Sequence, residues 1–136
     1  MKLPSQQQIV ALHDDIIQET GGAAGLLSSE TLARCVGRPL AGCGEVELFP
    51  TVFAKAAALA HAIATEHPFV DGNKRTALGC AARVLRLNGS YLPEAPDEVE
   101  VMVSLARGEL ILEEFASWLA ASSRPVLPRE DERLSC

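Results

Sequence analysis

The sequence predicts an all-α fold, a compact helical bundle with a short flap or hairpin ahead of its central helix. Two observations carry this. Apolar residues make up 48% of the chain and aromatic residues only 4%, so the core must be built mainly from Ala, Leu, Val and Ile, a composition suited to closely packed helices. The apolar positions also recur at helical spacing between stops made of Gly, Pro and Asn. A length of 136 residues fits one folding unit. Residues 1–123 are expected to form it and residues 124–136 to be a flexible tail, because Pro residues and the charged run Arg129 to Arg133 fall there.

Each element has a local reason. Ser5 followed by Gln8 has the form of a capping box, and Ile9, Leu12, Ile16 and Ile17 share one face, so a first helix should run to Gly21-Gly22. His13 lies beside that stripe and is expected to pack or to pair with a charge. Ser28 or Ser29 can cap a short second helix with Leu32, Cys35 and Val36 inward, closed by Gly37 and Pro39. The segment from Leu40 to Pro50 alternates apolar and polar residues at Val46, Glu47 and Leu48 and reads as an extended flap or hairpin. From Thr51 to about Glu66 an Ala-rich helix, with Phe53, Ala56, Ala57, Ala60 and Ile63 in register, can sit close to its neighbours and should be central. Its pattern stops at His67-Pro68. Another starts near Asn73 or Lys74, carries Ala77, Leu78, Ala81, Val84 and Leu85, and stops at Asn88-Gly89. Two further helices follow, about Asp97 to Arg107 and Leu110 to Ala121, the second with Phe115, Trp118 and Leu119 inward.

Charge and cysteine usage narrow the function classes. A formal charge of −6 and a pI near 5.0 argue against direct nucleic-acid binding, which draws its affinity from Lys and Arg neutralising phosphates. Cys35, Cys43, Cys80 and Cys136 form no C-x-x-C pair and read as reduced thiols, with Cys35 and Cys80 in the core. The start of the chain lacks the apolar run of a signal peptide, and no stretch approaches the roughly 18 apolar residues of a membrane span. A cytoplasmic location with no membrane contact is the expectation.

The chemistry concentrates in the string HPFVDGNKRTAL from His67 to Leu78. At a helix start the first amides lack main-chain partners and the helix dipole adds partial positive charge, which together make an anion site. Lys74 and Arg75 would reinforce it, Arg75 with a planar fork and Lys74 with a mobile point charge. Gly72 lets the backbone turn tightly, and Asn73 can hold the loop through side-chain hydrogen bonds. Asp71 is a hard oxygen ligand suited to Mg²⁺ beside phosphate oxygens. His67 is placed to accept a proton from an attacking hydroxyl, and Phe69 to anchor the loop by burying its ring between the two helices. Singly, these residues have ordinary explanations as turn formers and solvated charges. Turn formation alone, however, does not require His, Asp, Asn, Lys and Arg in that order. A metal triad of His61, His67 and Asp71 is disfavoured, because the spacing puts the two histidines on different helical faces. The chain contains no P-loop pattern.

This string resembles the signature of the Fic/Doc family, His-x-Phe-x-Asp/Glu-Gly/Ala-Asn-Gly/Lys-Arg, with every fixed position met by His67, Phe69, Asp71, Gly72, Asn73, Lys74 and Arg75. The segment IVALHDDII, the pair Gly21-Gly22 and the string RTAL…VLRLNG are similar to the Doc branch, the death-on-curing toxins of toxin–antitoxin modules. That branch carries Lys where AMP-transferring members have a second Gly, and here Leu78 stands where those members have a further Arg. The resemblance implies a type II toxin acting as a protein kinase that moves a phosphate from ATP to a hydroxyl of translation elongation factor Tu. It assigns His67 as general base, Asp71 as the Mg²⁺ ligand, and Gly72, Asn73, Lys74 and Arg75 as the cradle for the nucleotide phosphates, with Lys74 and Arg75 also serving catalysis. A protein target could align by adding a strand to the flap. The inhibitory Ser/Thr-x-x-x-Glu helix of many relatives has no good counterpart, since Ser90 to Glu94 contains Pro93, so a separate antitoxin is the implied inhibitor. The alternatives are an AMP-transferase and a non-catalytic binding module that keeps the fold.

Overall fold

A computed structural model of the chain describes residues 1–127. Its helices among the described residues run α1 Gln6–Thr20, α2 Ser29–Gly37, α3 Val52–Glu66, α4 Asn73–Leu87, α5 Glu98–Ala106 and α6 Leu112–Ser122. Among the described residues the strands, β1 Gly42–Cys43, β2 Val46–Glu47, β3 Ser90–Tyr91 and β4 Arg124–Pro125, pair only as β1 with β2 and β3 with β4. The all-α architecture read from the sequence is the one observed.

The helix starts are set by local hydrogen bonds. Ser5 caps α1 through a reciprocal capping box with Gln8, Ser28 caps α2 by accepting from the Thr31 amide, and Thr51 caps α3 by accepting from the Ala54 amide. Helix α3 is the centre of the molecule, packed against α4, α6, α2 and α5. Its alanines make this possible: Ala56, Ala57, Ala58, Ala60, Ala62 and Ala64 are all buried, so neighbours approach from several sides. Leu59 and Ile63 of α3, Leu85 of α4, Leu105 of α5, and Phe115 and Leu119 of α6 fill the remaining space. Each such side chain contributes about 1.5–3 kcal/mol on leaving water. Helix α1 lies across α4 where Gly79 leaves no side chain; a β-carbon there would stand 3.3 Å from the tips of Leu12 and Ile16.

Cys35 and Cys80 are core residues as expected. Burial pushes the thiols of both up to about 12, which keeps them protonated at neutral pH. Cys136 lies outside the described residues. Trp118, expected inward, is only half-buried, because its indole N–H reaches outward to donate to the Asp97 carboxylate at 3.1 Å.

Two short ribbons flank the bundle. The flap is a hairpin, β1 and β2 pairing antiparallel with Cys43 opposite Val46, and Gly44 takes the left-handed conformation (φ 62°) that its tight turn demands. The second ribbon joins the residues just after α6 to those just after α4. Arg124 and Pro125 pair with Tyr91 and Ser90, and the Val126 amide donates to the Gly89 carbonyl at 2.9 Å. The run Arg129 to Arg133 lies outside the described residues.

Candidate active site

The connection between α3 and α4 is built from two left-handed residues. Helix α3 ends at His67, which has φ 54° and ψ 61°, and α4 begins after Gly72 at φ 74° and ψ 19°. Left-handed backbone is uncommon for a side-chain-bearing residue. Here it turns His67 out of the α3 axis, so that the imidazole is exposed rather than packed. Gly72 has no side chain with which to cap α4, so the amides of Asn73, Lys74 and Arg75 are left for something else. The first amide of the turn with a helical acceptor is that of Thr76, which donates to the Gly72 carbonyl at 2.9 Å.

The loop between these two residues is clamped on three sides. From within, Asn73 closes it on both main-chain groups of Phe69: its Oδ1 accepts from the Phe69 amide at 3.0 Å and its Nδ2 donates to the Phe69 carbonyl at 2.9 Å. From one flank, the α1–α2 connection runs alongside it. The Val70 amide donates to the Gly25 carbonyl at 3.0 Å, and the Leu27 amide donates to the Pro68 carbonyl at 2.8 Å. From below, the buried Phe69 ring stacks face to face on His13, with centroids 3.9 Å apart and planes 7° from parallel. Phe69 is therefore the anchor predicted from sequence, although its partner surface includes α1 as well as the two helices it joins.

The result is a cavity of about 320 Å³ lined by His67, Val70, Asp71, Gly72, Asn73, Lys74 and Arg75. Every residue singled out in the signature as a site residue meets there. Lys74 is exposed and forms no ion pair with the described residues, so its ammonium is available to a ligand. Arg75 is more committed. Its Nη1 donates to the Gly21 carbonyl at 2.7 Å and to the Thr20 hydroxyl, and its Nη2 stands 3.9 Å from the Asp71 carboxylate. One edge of the guanidinium thus serves as a strut onto the end of α1, where partial negative charge of the helix dipole favours a cation. Asn73 likewise spends its side chain on the loop, and its main-chain N–H has no acceptor among the described residues.

Asp71 accepts from the Ala23 amide at 3.1 Å and from its neighbour Gly72 at 2.8 Å. Those two bonds, assisted by the positive charge of Arg75, hold its carboxyl below the ordinary value of 3.8. It is therefore anionic at neutral pH, and half its surface is open. Among the described residues no group of three His, Cys, Asp or Glu could hold a metal. A single anionic carboxylate beside uncapped helix-start amides and two cations fits a Mg²⁺ ion, since this ion commonly takes one protein carboxylate together with phosphate oxygens and water. His61 lines a different cavity, with Arg34, Arg38 and Glu66, and burial lowers its pKa.

Sequence reasoning passed over the contribution of the α1–α2 connection. The sequence presents Gly21-Gly22 as a helix stop and as part of the family resemblance, without a physical reason for glycine; a β-carbon on Gly22 would fall 2.6 Å from the Asp71 carboxylate and 3.0 Å from Arg75. Glycine is required there so that this backbone can lie against the site. The signal for His13 was its place four residues from both Ile9 and Ile17, which puts it within the buried stripe rather than beside it.

This fold and site place the chain in the Fic/Doc family, to which it belongs: the family model matches residues 3–85. Among its relatives, it is 33% identical over 119 residues to the protein kinase doc of Escherichia phage P1, a match covering 88% of this chain and 94% of that protein. It is also 35% identical over 103 residues to the toxin Doc of Mycolicibacterium smegmatis, covering 74% of this chain and 79% of that one. No helix of the described residues is long and apolar enough to cross a membrane.

Proposed function

We propose that the chain is the toxin of a type II toxin–antitoxin module and acts as a protein kinase, moving the terminal phosphate of ATP to a hydroxyl of a protein target. By family resemblance the target is a translation elongation factor, elongation factor Tu, and the inhibitor is a cognate antitoxin protein in the same cytoplasm. The observation that carries this reading is the shared cavity, where an exposed imidazole, an unpaired ammonium and the uncapped start of α4 face one space. The kinase and toxin names of the two relatives support it.

The chemistry needs few parts, because phosphoryl transfer relies mainly on positioning and charge neutralisation. The amides of Asn73, Lys74 and Arg75 and the Lys74 ammonium hold the phosphate oxygens, and the free edge of Arg75 adds a second positive charge. His67 takes the proton of the target hydroxyl as its oxygen bonds to the terminal phosphorus, while the bond from that phosphorus to the bridging oxygen breaks and ADP leaves. Asp71 would hold Mg²⁺, which when bound neutralises phosphate charge. The β1–β2 hairpin, with both outer edges exposed, offers main-chain groups to an extended target segment.

Transfer of the terminal phosphate is favoured over transfer of AMP by the occupants of two positions. Lys74 fills the cradle where AMP-transferring members have Gly, and Leu78 lines an apolar recess with Val99, Met102 and Val103 instead of supplying a further cation. The test is incubation of the protein with elongation factor Tu and ATP labelled in either the α or the γ phosphate. The γ label should appear on the target and fall by about 10²-fold or more in His67→Ala. Retention of the α label would assign AMP transfer instead. Growth arrest by His67→Ala with no label on any target would leave only a binding module.

A further inference from the structure

We infer that His13 is a positioning residue for the phosphate cradle, holding the Asp71 carbonyl so that the first turn of α4 stays open to an anion. The inference rests on the phosphate-transfer reading for its functional meaning, but its structural content is independent of that reading. His13 is 1% exposed and grips the loop at two points. Its ring stacks on Phe69, and its Nε2 lies 2.8 Å from the Asp71 carbonyl oxygen. A carbonyl oxygen only accepts, so Nε2 carries the hydrogen and the ring is fixed in that tautomer. The other ring nitrogen, Nδ1, stands 3.8 Å from Asp14, too far for a hydrogen bond.

The bond matters because of where Asp71 sits. Its carbonyl is four residues before the Arg75 amide, the spacing at which a helix closes its own hydrogen bonds. Turned toward α4, that oxygen would take the Arg75 N–H, extend the helix by one residue and remove a donor from the cradle. Drawn down to His13, it leaves the Arg75 amide unclaimed, and the Asp71 side chain remains on the Ala23 and Gly72 amides. Gly72 belongs to the same device, since a β-carbon there would come 2.9 Å from Ile17 and 3.7 Å from the His13 Nε2.

Two substitutions separate positioning from packing. His13→Leu keeps an apolar side chain against Phe69 and removes the donor; His13→Gln keeps an N–H at similar reach and gives up the ring. Hydrogen exchange of the Arg75 amide in the protein alone should be about tenfold slower in His13→Leu, where the freed Asp71 carbonyl can take that N–H, and close to wild type in His13→Gln, one hydrogen bond's worth of difference. kcat for phosphate transfer should follow the same order. A packing role predicts exchange near wild type in His13→Leu and faster in His13→Gln, because Leu suits a buried apolar site better than Gln, and that outcome or equal exchange in the two overturns the inference. Should both variants fail to fold, the wild-type imidazole decides: a nitrogen-detected spectrum with the hydrogen on Nε2 supports the inference, and one with it on Nδ1 overturns it. If the wild type transfers no phosphate, the functional reading fails while the exchange rates still decide the role of His13.

Discussion

The loop before α4 and the hairpin before α3 are both short connections carrying exposed polar groups, yet the protein holds them in opposite ways. The loop is tied by main-chain bonds to the α1–α2 connection, by both polar ends of Asn73, and by the stack of Phe69 on His13. The hairpin is tied at its base only. There Lys55 of α3, 3% exposed, donates to Glu47 at 2.9 Å and to the Pro39 carbonyl at 3.2 Å, while Arg38 lies 5.5 Å over the ring of buried Phe49. Leu40, Val46 and Leu48 remain exposed. The difference matches the two tasks proposed for them: charge stabilisation requires donors already in place before the ligand arrives, whereas an edge that adds a strand needs only a fixed root and an adaptable tip.

The largest effect is expected at Phe69. If the loop is part of the core, Phe69→Ala should cost about 3–5 kcal/mol in chemical denaturation, the usual range for emptying a buried aromatic site. It should also release His13 from its stack. A loss below about 1 kcal/mol would mean that the loop is merely laid on the bundle and that the contrast with the hairpin is false.

What could be read from sequence divides along the same line. Caps, stops and the signature are local, so Ser5 with Gln8, Ser28, the break at His67-Pro68 and the start of α4 at Asn73 all emerge from neighbouring residues. The meeting of His67, Lys74 and Asp71 around one cavity also follows from a nine-residue stretch that turns between two helices. Features that depend on distant partners were not legible. Strands β3 and β4 are each a residue pair held by a partner more than thirty positions away, too short to leave any alternation. Lys55 sits inside an apolar helix and would be read as an intrusion until Glu47 is found opposite it. The role of Gly22 is invisible without Asp71 and Arg75 beside it.

Within the loop, the next largest effect is expected at Asn73. Asn73→Ala removes partners from both the amide and the carbonyl of Phe69, and should cost about 2 kcal/mol if those groups are left unsatisfied. Asn73→Asp keeps an acceptor for the Phe69 amide but cannot donate to its carbonyl, so it should recover part of the loss. Equal stability in the two variants would show that the Phe69 carbonyl finds water when Asn73 is gone, and that the clamp works through one bond.

The smallest effect is expected at the hairpin, and it depends on which partner is removed. Glu47→Ala leaves a buried ammonium with only the Pro39 carbonyl, whereas Lys55→Met replaces the charge with an apolar chain of similar length. Removing one member of a buried pair is costly, while replacing the buried charge itself is often neutral. Because Glu47 is 54% exposed, water screens part of the interaction and the loss in Glu47→Ala should be near 1 kcal/mol. Lys55→Met should stay within about half of that. Both should speed hydrogen exchange at the Leu48 amide, which donates to the Ala41 carbonyl at the hairpin's root, and leave exchange from Val70 to Arg75 unchanged. Loosening that spread to the loop would show the two regions to be coupled, so that a target strand docking on the hairpin could alter the phosphate cradle as well as align the hydroxyl.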